Sequence, residues 1–174
     1  MTKEELCSAM DLYQDMVYRI ALNYMGNAAD AQDISQEAFL RLYRCKTIFP
    51  TEEQRRAWLI RVTINLGKNI LRSPWHRIMQ QNPADAAEQA AQNADSMEIH
   101  VVTEQIQKLS KQDRVVLHLY YFEEYGTKEI AGLLNMQEAA VRKRLSRARK
   151  RLEKLIKEES LHYEGIEMDP SLPE

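Results

Sequence analysis

The stretch VRKRLSRARKR, residues 141–151, constrains the fold more than any other part of this sequence. Seven of its eleven residues are Lys or Arg, and none is acidic. The apolar residues of this region follow one another at steps of four and three: Val141, Leu145, Ala148, Leu152 and Leu155. That spacing lines one face of a helix. The stretch is therefore predicted to be a helix that packs one apolar face on the chain and carries cations around the remainder.

Positive charge is concentrated in this stretch. The 174-residue chain has 24 Lys and Arg and 26 Asp and Glu, a formal charge of −2. Without the seven cations, 17 basic residues stand against 26 acidic ones, a formal charge of −9. A protein that finds DNA unaided usually has a broadly positive surface. The pattern favours a chain that holds DNA at one place while another partner supplies the remaining affinity.

The composition favours an all-α fold. Gly and Pro are scarce, at five each, and residues that favour helices dominate. The N-terminus has no apolar run like that of a signal peptide, and VVLHLYYF is too short to span a bilayer. The two cysteines, Cys7 and Cys45, suit a reducing compartment and fit no metal-ligand spacing. We therefore expect a cytoplasmic protein with no membrane insertion of its own.

The first predicted domain, residues 1–73, is a helical bundle. Its first helix has apolar residues at helical intervals and closes at Gly26. A second helix is predicted from about Ala28 to Arg44. Thr51 begins a capping-box pattern that opens a third helix, which runs through Arg72.

A second small helical domain follows a linker. Residues 74–96 are rich in Gln, Asn, Ala and Asp with few large apolar residues, which predicts a flexible tether. Residues 97–160 are predicted to form the second domain, and residues 161–174 a tail. Within this domain Ser110 is expected to cap a helix that Gly126 ends.

A short helix and a tight turn precede the basic helix. The segment TKEIAGLL predicts a helix with Ile130, Ala131 and Leu134 facing inward. Asn135 stands where a left-handed residue is needed, and Met136 fills the turn. A helix, a three-residue turn and a second helix form a helix-turn-helix motif.

Major-groove DNA binding is the function that this motif favours. The side chains placed to reach base edges are Arg142, Lys143, Ser146 and Arg147. Those better placed for phosphates are Thr127, Lys128, Arg144, Arg149 and Lys150. Two alternatives stay open: a solvated charged face on a long helix, and a helix that binds a membrane surface or a calmodulin-like partner.

Two polar surfaces are predicted on the first domain. Three polar side chains share one face of the second helix, opposite its apolar core face: Asp33, Gln36 and Glu37. They form either a docking surface for a basic partner helix or an ordinary exposed face. On the third helix, basic and amide side chains accompany one aromatic ring: Trp58, Arg61, Asn65, Lys68, Asn69 and Arg72. This combination suits single-stranded DNA, although Trp58 could instead belong to the core beside a solvated edge.

Three segments in the same order resemble the bacterial RNA polymerase sigma factors of the extracytoplasmic-function (ECF) type. They are DAQDISQEAFLRLYR, AWLIRVTINLGKNILR and GTKEIAGLLNMQEAAVRKRLSRARKRL. The resemblance spans about Tyr13 to Leu155. It implies three kinds of partner: core RNA polymerase, through its β′ clamp helices and β flap; promoter DNA; and an anti-sigma factor that wedges between the two domains. It implies no cofactor.

The resemblance also implies roles for single residues. Asp33, Gln36 and Glu37 would contact core polymerase, and the loop 48–54 would capture a flipped base of the minus-ten element. Six residues of the third helix would guide the melting duplex: Arg55, Arg56, Trp58, Arg61, Asn65 and Lys68. The basic helix would read the minus-thirty-five element.

The sequence departs from the family pattern at the start of the basic helix and in the third helix. Ala139-Ala140 stands where the family commonly has Gly-Thr, which removes a cap or phosphate contact that Gln137 or Glu138 could replace. Ile64 stands where the family commonly has Arg. These departures affect the preferred DNA sequence rather than the fold.

The sequence supports two rival functions less well. An enzyme is disfavoured because the four histidines are scattered without ligand spacing and no Gly-rich phosphate loop exists. A stand-alone DNA-binding regulator would bind specific DNA tightly without polymerase, whereas a sigma factor would bind weakly alone and open promoters with core enzyme.

Overall fold

The computed structural model describes the backbone of residues 1–73 and 104–167, with side chains as far as residue 159. Within those ranges every regular element is a helix, which confirms the all-α prediction. The longer helices are α1 Lys3–Met25, α2 Ala28–Arg44, α3 Glu52–Arg72, α4 Lys111–Tyr121, α5 Thr127–Leu134 and α6 Glu138–Glu167. Residues 104–107 are helical as well. The predicted linker at 74–96 and the start of the second domain at 97 lie outside the described residues. At the other end, α6 continues past residue 160 to Glu167.

Short polar caps set the ends of the first three helices. Thr2 and Glu5 form a capping box at the start of α1, and Gly26 ends that helix with φ of 83°. The side chains of Asn27 and Thr51 accept hydrogen bonds from backbone N–H groups in the first turns of α2 and α3. Each of these oxygens satisfies a donor that has no partner within its own helix. The predicted bounds of α2 and α3 are thereby confirmed.

The prediction that Gly126 ends the helix capped by Ser110 is wrong. Ser110 does cap α4, but that helix ends at Tyr121. The left-handed residue that follows is Glu124, with φ of 59°. Gly126 instead precedes the first residue of α5, and its N–H donates to the Glu129 carboxylate at 2.8 Å. The glycine therefore begins the second helix of the motif.

Helices α1, α2 and α3 form the N-terminal bundle. The predicted core face of α2 is buried throughout: Ala31, Ile34, Ala38 and Leu42. Helices α1 and α3 are in close contact at Gly67, where a Cβ atom would lie 2.6 Å from Cδ1 of Tyr24. A larger residue at this position would have to displace a ring that is 6 % exposed.

Helices α4, α5 and α6 form the helix-turn-helix domain. Asn135 adopts the predicted left-handed conformation, with φ of 53°, and the Met136 N–H donates to the Ala131 carbonyl at 2.9 Å. Met136 packs against the core, as expected for the residue that fills the turn. The core itself is drawn from all three helices: Val115, Val116, Leu119, Ile130, Leu133, Val141, Leu145 and Ala148. The turn and this core fix the direction in which α6 leaves the domain.

The two halves of the chain contact each other. Helix α1 packs along α4, and α3 meets α5. A cavity of about 590 Å³ opens between the start of α3 and the α4–α5 connection, lined in part by Arg56, Arg61 and Tyr125. Arg56 and Arg61 of α3 therefore lie beside the helix-turn-helix domain.

Candidate nucleic-acid interface

Helix α6 holds its cations on the side away from a packed apolar face. Val141, Leu145 and Ala148 are at most 3 % exposed. The exposed side chains around them are Arg142, Lys143, Ser146, Arg147, Arg149, Lys150 and Arg151. The side chains of Lys143 and Lys150 make no hydrogen bond or ion pair to any residue that the structure describes. A cationic helix of this kind fits into the major groove of DNA, and its positive charge favours binding to the phosphates.

Glu138 joins the two helices of the motif at the N-terminal end of α6. Its Oε1 accepts a hydrogen bond from Thr127 Oγ1 at 2.7 Å. The same oxygen accepts from Arg142, at 2.5 Å from Nη2 and 3.2 Å from Nε. The hydrogen bonds from Arg142 and Thr127 lower the pKa of the Glu138 carboxyl. Glu138 is thus a carboxylate held by one residue of α5 and one of α6.

Two other predicted phosphate ligands also have partners within the chain. Arg144 pairs with Asp113 of α4, with 2.9 Å between Nη1 and Oδ1. The Arg149 guanidinium lies over two aromatic rings, 5.2 Å from the centre of Tyr120 and 5.3 Å from that of Tyr121. Both side chains are oriented before any DNA arrives, and Arg149 remains exposed.

The side chains of the strip predicted on α3 are exposed or partly exposed. Arg61 and Asn65 are exposed, and Lys68 is partly exposed. Trp58 is half-buried, with its ring centre 5.6 Å from that of Phe49 and an interplanar angle of 63°. The ring therefore contributes to the core and to the surface, which combines the two interpretations left open for it. At the start of the helix, Arg55 pairs with Glu52 at 2.8 Å.

Arg56 departs from this pattern because it faces the second domain. Its Nη2 donates to Oε2 of Glu123 at 2.7 Å and to the Glu123 carbonyl at 3.2 Å, and its Cζ lies 5.0 Å from the Tyr125 ring centre. His118 lies 3.1 Å from the other Glu123 oxygen and 3.2 Å from Nδ2 of Asn23. Burial alone would raise the pKa of the Glu123 carboxyl, but the hydrogen bonds from His118 and Arg56 lower it on balance. In this conformation Arg56 bonds to protein.

Sequence reasoning missed Asn23, His118 and Glu123. The bonds of Asn23 to His118 and of Arg56 to Glu123 form because α1 and α3 pack on the second domain, and no spacing in the chain predicts them. His118 was one of the four histidines that we found scattered. A structure was needed to find this cluster.

The face of α2 predicted to bind polymerase is exposed in part. Asp33 and Gln36 are exposed, whereas Glu37 pairs with Arg41 of the same helix at 2.8 Å. Two apolar side chains of α2 are also exposed, Leu40 at 45 % and Tyr43 at 48 %. Polar groups beside exposed apolar groups are typical of protein-binding surfaces.

Among the residues with described positions, no group of His, Cys, Asp and Glu is arranged to hold a metal ion. In the same part of the chain, no helix is both long and apolar enough to cross a membrane.

Comparison with known families matches both halves of the chain. Residues 9–77 match the model of sigma-70 region 2, and residues 99–152 match that of sigma-70, region 4. A probable RNA polymerase sigma factor, RfaY of Xanthomonas campestris pv. campestris, is 36 % identical over 145 residues. That match covers 78 % of this chain, which spans only 36 % of the length of RfaY. The ECF RNA polymerase sigma factor SigW of Bacillus subtilis is 26 % identical, and the match covers 90 % of this chain and 91 % of SigW.

A solved structure has the same fold. The sigma factor RpoE from Bartonella quintana, crystallised with the anti-sigma factor NepR, superposes with a TM-score of 0.71 at 17 % sequence identity. The superposition covers 88 % of this chain and 98 % of that one. With the two family matches in the same order as the two helical domains, the chain belongs to the ECF sigma factors of bacterial RNA polymerase.

Proposed function

We propose that the protein binds core RNA polymerase in the cytoplasm and directs it to promoters. The observation that carries this proposal is the presence of two separate candidate DNA surfaces on one acidic chain. One is the strip on α3, and the other is the basic face of α6. A chain with a formal charge of −2 holds DNA poorly by itself, so a polymerase that contributes affinity explains how two small surfaces suffice.

The N-terminal domain, residues 1–73, is assigned two tasks. The exposed side chains Asp33 and Gln36, with Glu37, form the contact to the β′ clamp helices of core polymerase. The strip at Trp58, Arg61, Asn65 and Lys68 stabilises unstacked bases and their phosphates while the minus-ten element melts, and Arg55 and Arg56 act at the same end of α3. The mixture of a partly exposed indole and nearby cations supports this assignment.

The C-terminal domain, residues 97–160, reads the minus-thirty-five element. Arg142, Lys143, Ser146 and Arg147 face base edges. Thr127, Lys128, Arg144, Arg149 and Lys150 hold phosphates. The domain also contacts the β flap, and an anti-sigma factor that engages both domains controls the protein.

The test is transcription in vitro with core polymerase and a library of promoters. We expect promoter-dependent transcripts and open complexes only when both core enzyme and this protein are present. Changing Asp33 and Glu37 together to Lys should weaken binding to core enzyme at least tenfold, because like charges would then meet across the interface. Far-UV circular dichroism should be unchanged, since neither side chain is buried.

A matched control is Asp15→Lys on α1, where the side chain is 79 % exposed and pairs with Arg19 of its own helix. That variant should bind core enzyme like the parent. Equal binding by all three proteins would remove the α2 contact from the proposal. Tight sequence-specific DNA binding without core enzyme would show a stand-alone regulator instead of a sigma factor.

A further inference from the structure

The contacts of Glu138 leave one edge of the Arg142 guanidinium unoccupied. A guanidinium carries five N–H groups in a fixed planar arrangement. The Nε and Nη2 groups of Arg142 donate to Oε1 of Glu138, so the side edge of the plane is occupied. The other edge, formed by Nη1 and the second Nη2 hydrogen, has no partner among the described residues. Arg142 is also 68 % exposed.

That remaining edge has the geometry that guanine requires. The O6 and N7 atoms of guanine accept two parallel N–H groups from an arginine in the major groove. An arginine that approaches with its Nη1 and Nη2 edge can make both bonds while its Nε edge stays bonded to a carboxylate. The contact to Glu138 is therefore compatible with base reading by Arg142.

We infer that Glu138 is a positioning residue that sets the base preference of Arg142, and that Thr127 in turn fixes Glu138. This inference rests on the proposed role of Arg142 at the minus-thirty-five element. Glu138 is anchored from two helices, by Thr127 of α5 and by its place at the start of α6. Anchored in this way, the Glu138 carboxylate restrains the long Arg142 side chain. Both residues lie at the N-terminal end of α6, the end that enters the major groove.

The expected size of the effect follows from the restraint. An exposed arginine loses rotamer freedom when a base immobilises it, and a restraint present before binding removes part of that loss. Removing Glu138 should therefore reduce the preference of the protein for its best base pair at the Arg142 position by about two- to tenfold. Arg142→Ala should reduce it further, by about five- to 150-fold, if the side chain makes a bidentate contact.

A direct contact between Glu138 and DNA is the competing explanation. A carboxylate can accept from the amino group of cytosine. Glu138 would then recognise a base pair directly, and this recognition would not require Arg142. The two explanations therefore differ in whether the effect of Glu138 depends on Arg142.

A double-mutant cycle separates them. Holoenzyme is assembled from core polymerase with the parent chain, Glu138→Ala, Arg142→Ala or the double variant, and binding to a library randomised across the minus-thirty-five element is measured. We expect Glu138→Ala and Arg142→Ala to relax preference at the same base pair. In the Arg142→Ala background, Glu138→Ala should have no further effect on preference.

Two further variants complete the design. Glu153→Ala removes another carboxylate of α6, and should leave every base preference unchanged. Among the side chains that the structure describes, Glu153 pairs with the exposed Lys157 alone, at 2.6 Å. Thr127→Val keeps the shape of the side chain and removes its hydroxyl, and should relax the same base pair as Glu138→Ala but less strongly. The proposed phosphate contact of Thr127 predicts uniform weakening by this variant as well, so uniform weakening with every base preference unchanged would remove Thr127 from the inference.

The outcomes distinguish the inference from the proposed function. If Arg142→Ala relaxes one base pair but Glu138→Ala changes nothing, or changes a different base pair, Glu138 does not position Arg142 and the inference fails alone. If Arg142→Ala leaves all preferences intact, the proposed base-reading role fails and the inference falls with it. Relaxation at one shared base pair with no additivity supports both.

Discussion

Gly67→Ala should destabilise the N-terminal bundle even though alanine favours helices. Gly67 is buried in α3, and an added Cβ would lie 2.6 Å from Cδ1 and 3.1 Å from Cε1 of Tyr24. Carbon atoms do not approach so closely without a shift, and the Tyr24 ring is only 6 % exposed. Overpacking of this kind typically costs about 1–3 kcal/mol. The change from Gly to Ala within a helix gains about 1 kcal/mol in return.

Gly132→Ala is the matched control. Gly132 also lies inside a helix, α5, but a Cβ there would meet no atom within 4 Å. This variant should increase the free energy of unfolding by up to about 1 kcal/mol, because alanine favours the helix more than glycine and the new Cβ has no clash. The gain in helix propensity is common to both variants. The difference between their free energies of unfolding therefore measures the clash with Tyr24 alone, about 1–3 kcal/mol. At about 2–4 °C for each kcal/mol in a chain of this length, Gly67→Ala should melt about 2–12 °C below Gly132→Ala.

The assay is urea unfolding followed by far-UV circular dichroism, with thermal melts as a second measure. Gly67→Phe, whose side chain cannot fit beside Tyr24 at all, should unfold at still lower urea. If Gly67→Ala and Gly132→Ala were stabilised equally, α1 and α3 would not approach at Gly67 as the structure has them. The reasoning from close contact would then be refuted.

Three more expectations follow from the surfaces described above. Changing Arg61 and Lys68 together to Ala should slow open-complex formation more than closed-complex binding, measured by permanganate reactivity of promoter thymines; a pre-melted template that restored nothing would contradict this. Lys150→Ala should weaken holoenzyme binding to all sequences alike and reduce the salt slope by about one unit, whereas an altered base preference would contradict a phosphate contact. Because the pKa of Glu123 is lowered in the folded chain, its contribution to the free energy of unfolding should be complete above its ordinary value of 4.5 and lost as pH falls through the lower folded value. Glu123→Gln should flatten that pH dependence, and an unchanged profile would argue against the bonds to His118 and Arg56.

Local signals made the helices of the first domain predictable. Thr51 and Gly26 act within one helical turn of the residues that they cap. The neighbouring sequence is therefore sufficient to determine where these helices begin and end. The same holds for Asn135 and Met136, whose conformations depend on the two short segments that flank them. Prediction failed at Gly126 because the left-handed conformation falls on Glu124, a residue type that rarely adopts it.

The surroundings of the candidate site were less predictable than its residues. Helical spacing places Lys143 and Arg147 on the exposed side of α6 without knowledge of any other helix. By contrast, Arg56 and Glu123 are 67 positions apart, and their contact depends on how the two halves of the chain pack. Periodicity describes one helix at a time, so it contains no information about such a pair.

The pair formed by Arg56 and Glu123 constrains how this sequence can change over evolutionary time. The side chains are unequally covered, at 35 % exposure for Arg56 and 10 % for Glu123. If Glu123 is replaced first, the guanidinium can turn to water and keep its contact with Tyr125. If Arg56 is replaced first, the carboxylate stays covered with His118 as its remaining partner, which costs more because a buried charge has lost its counterion. Lineages should therefore tolerate a change at 123 before one at 56, although the two positions belong to different domains.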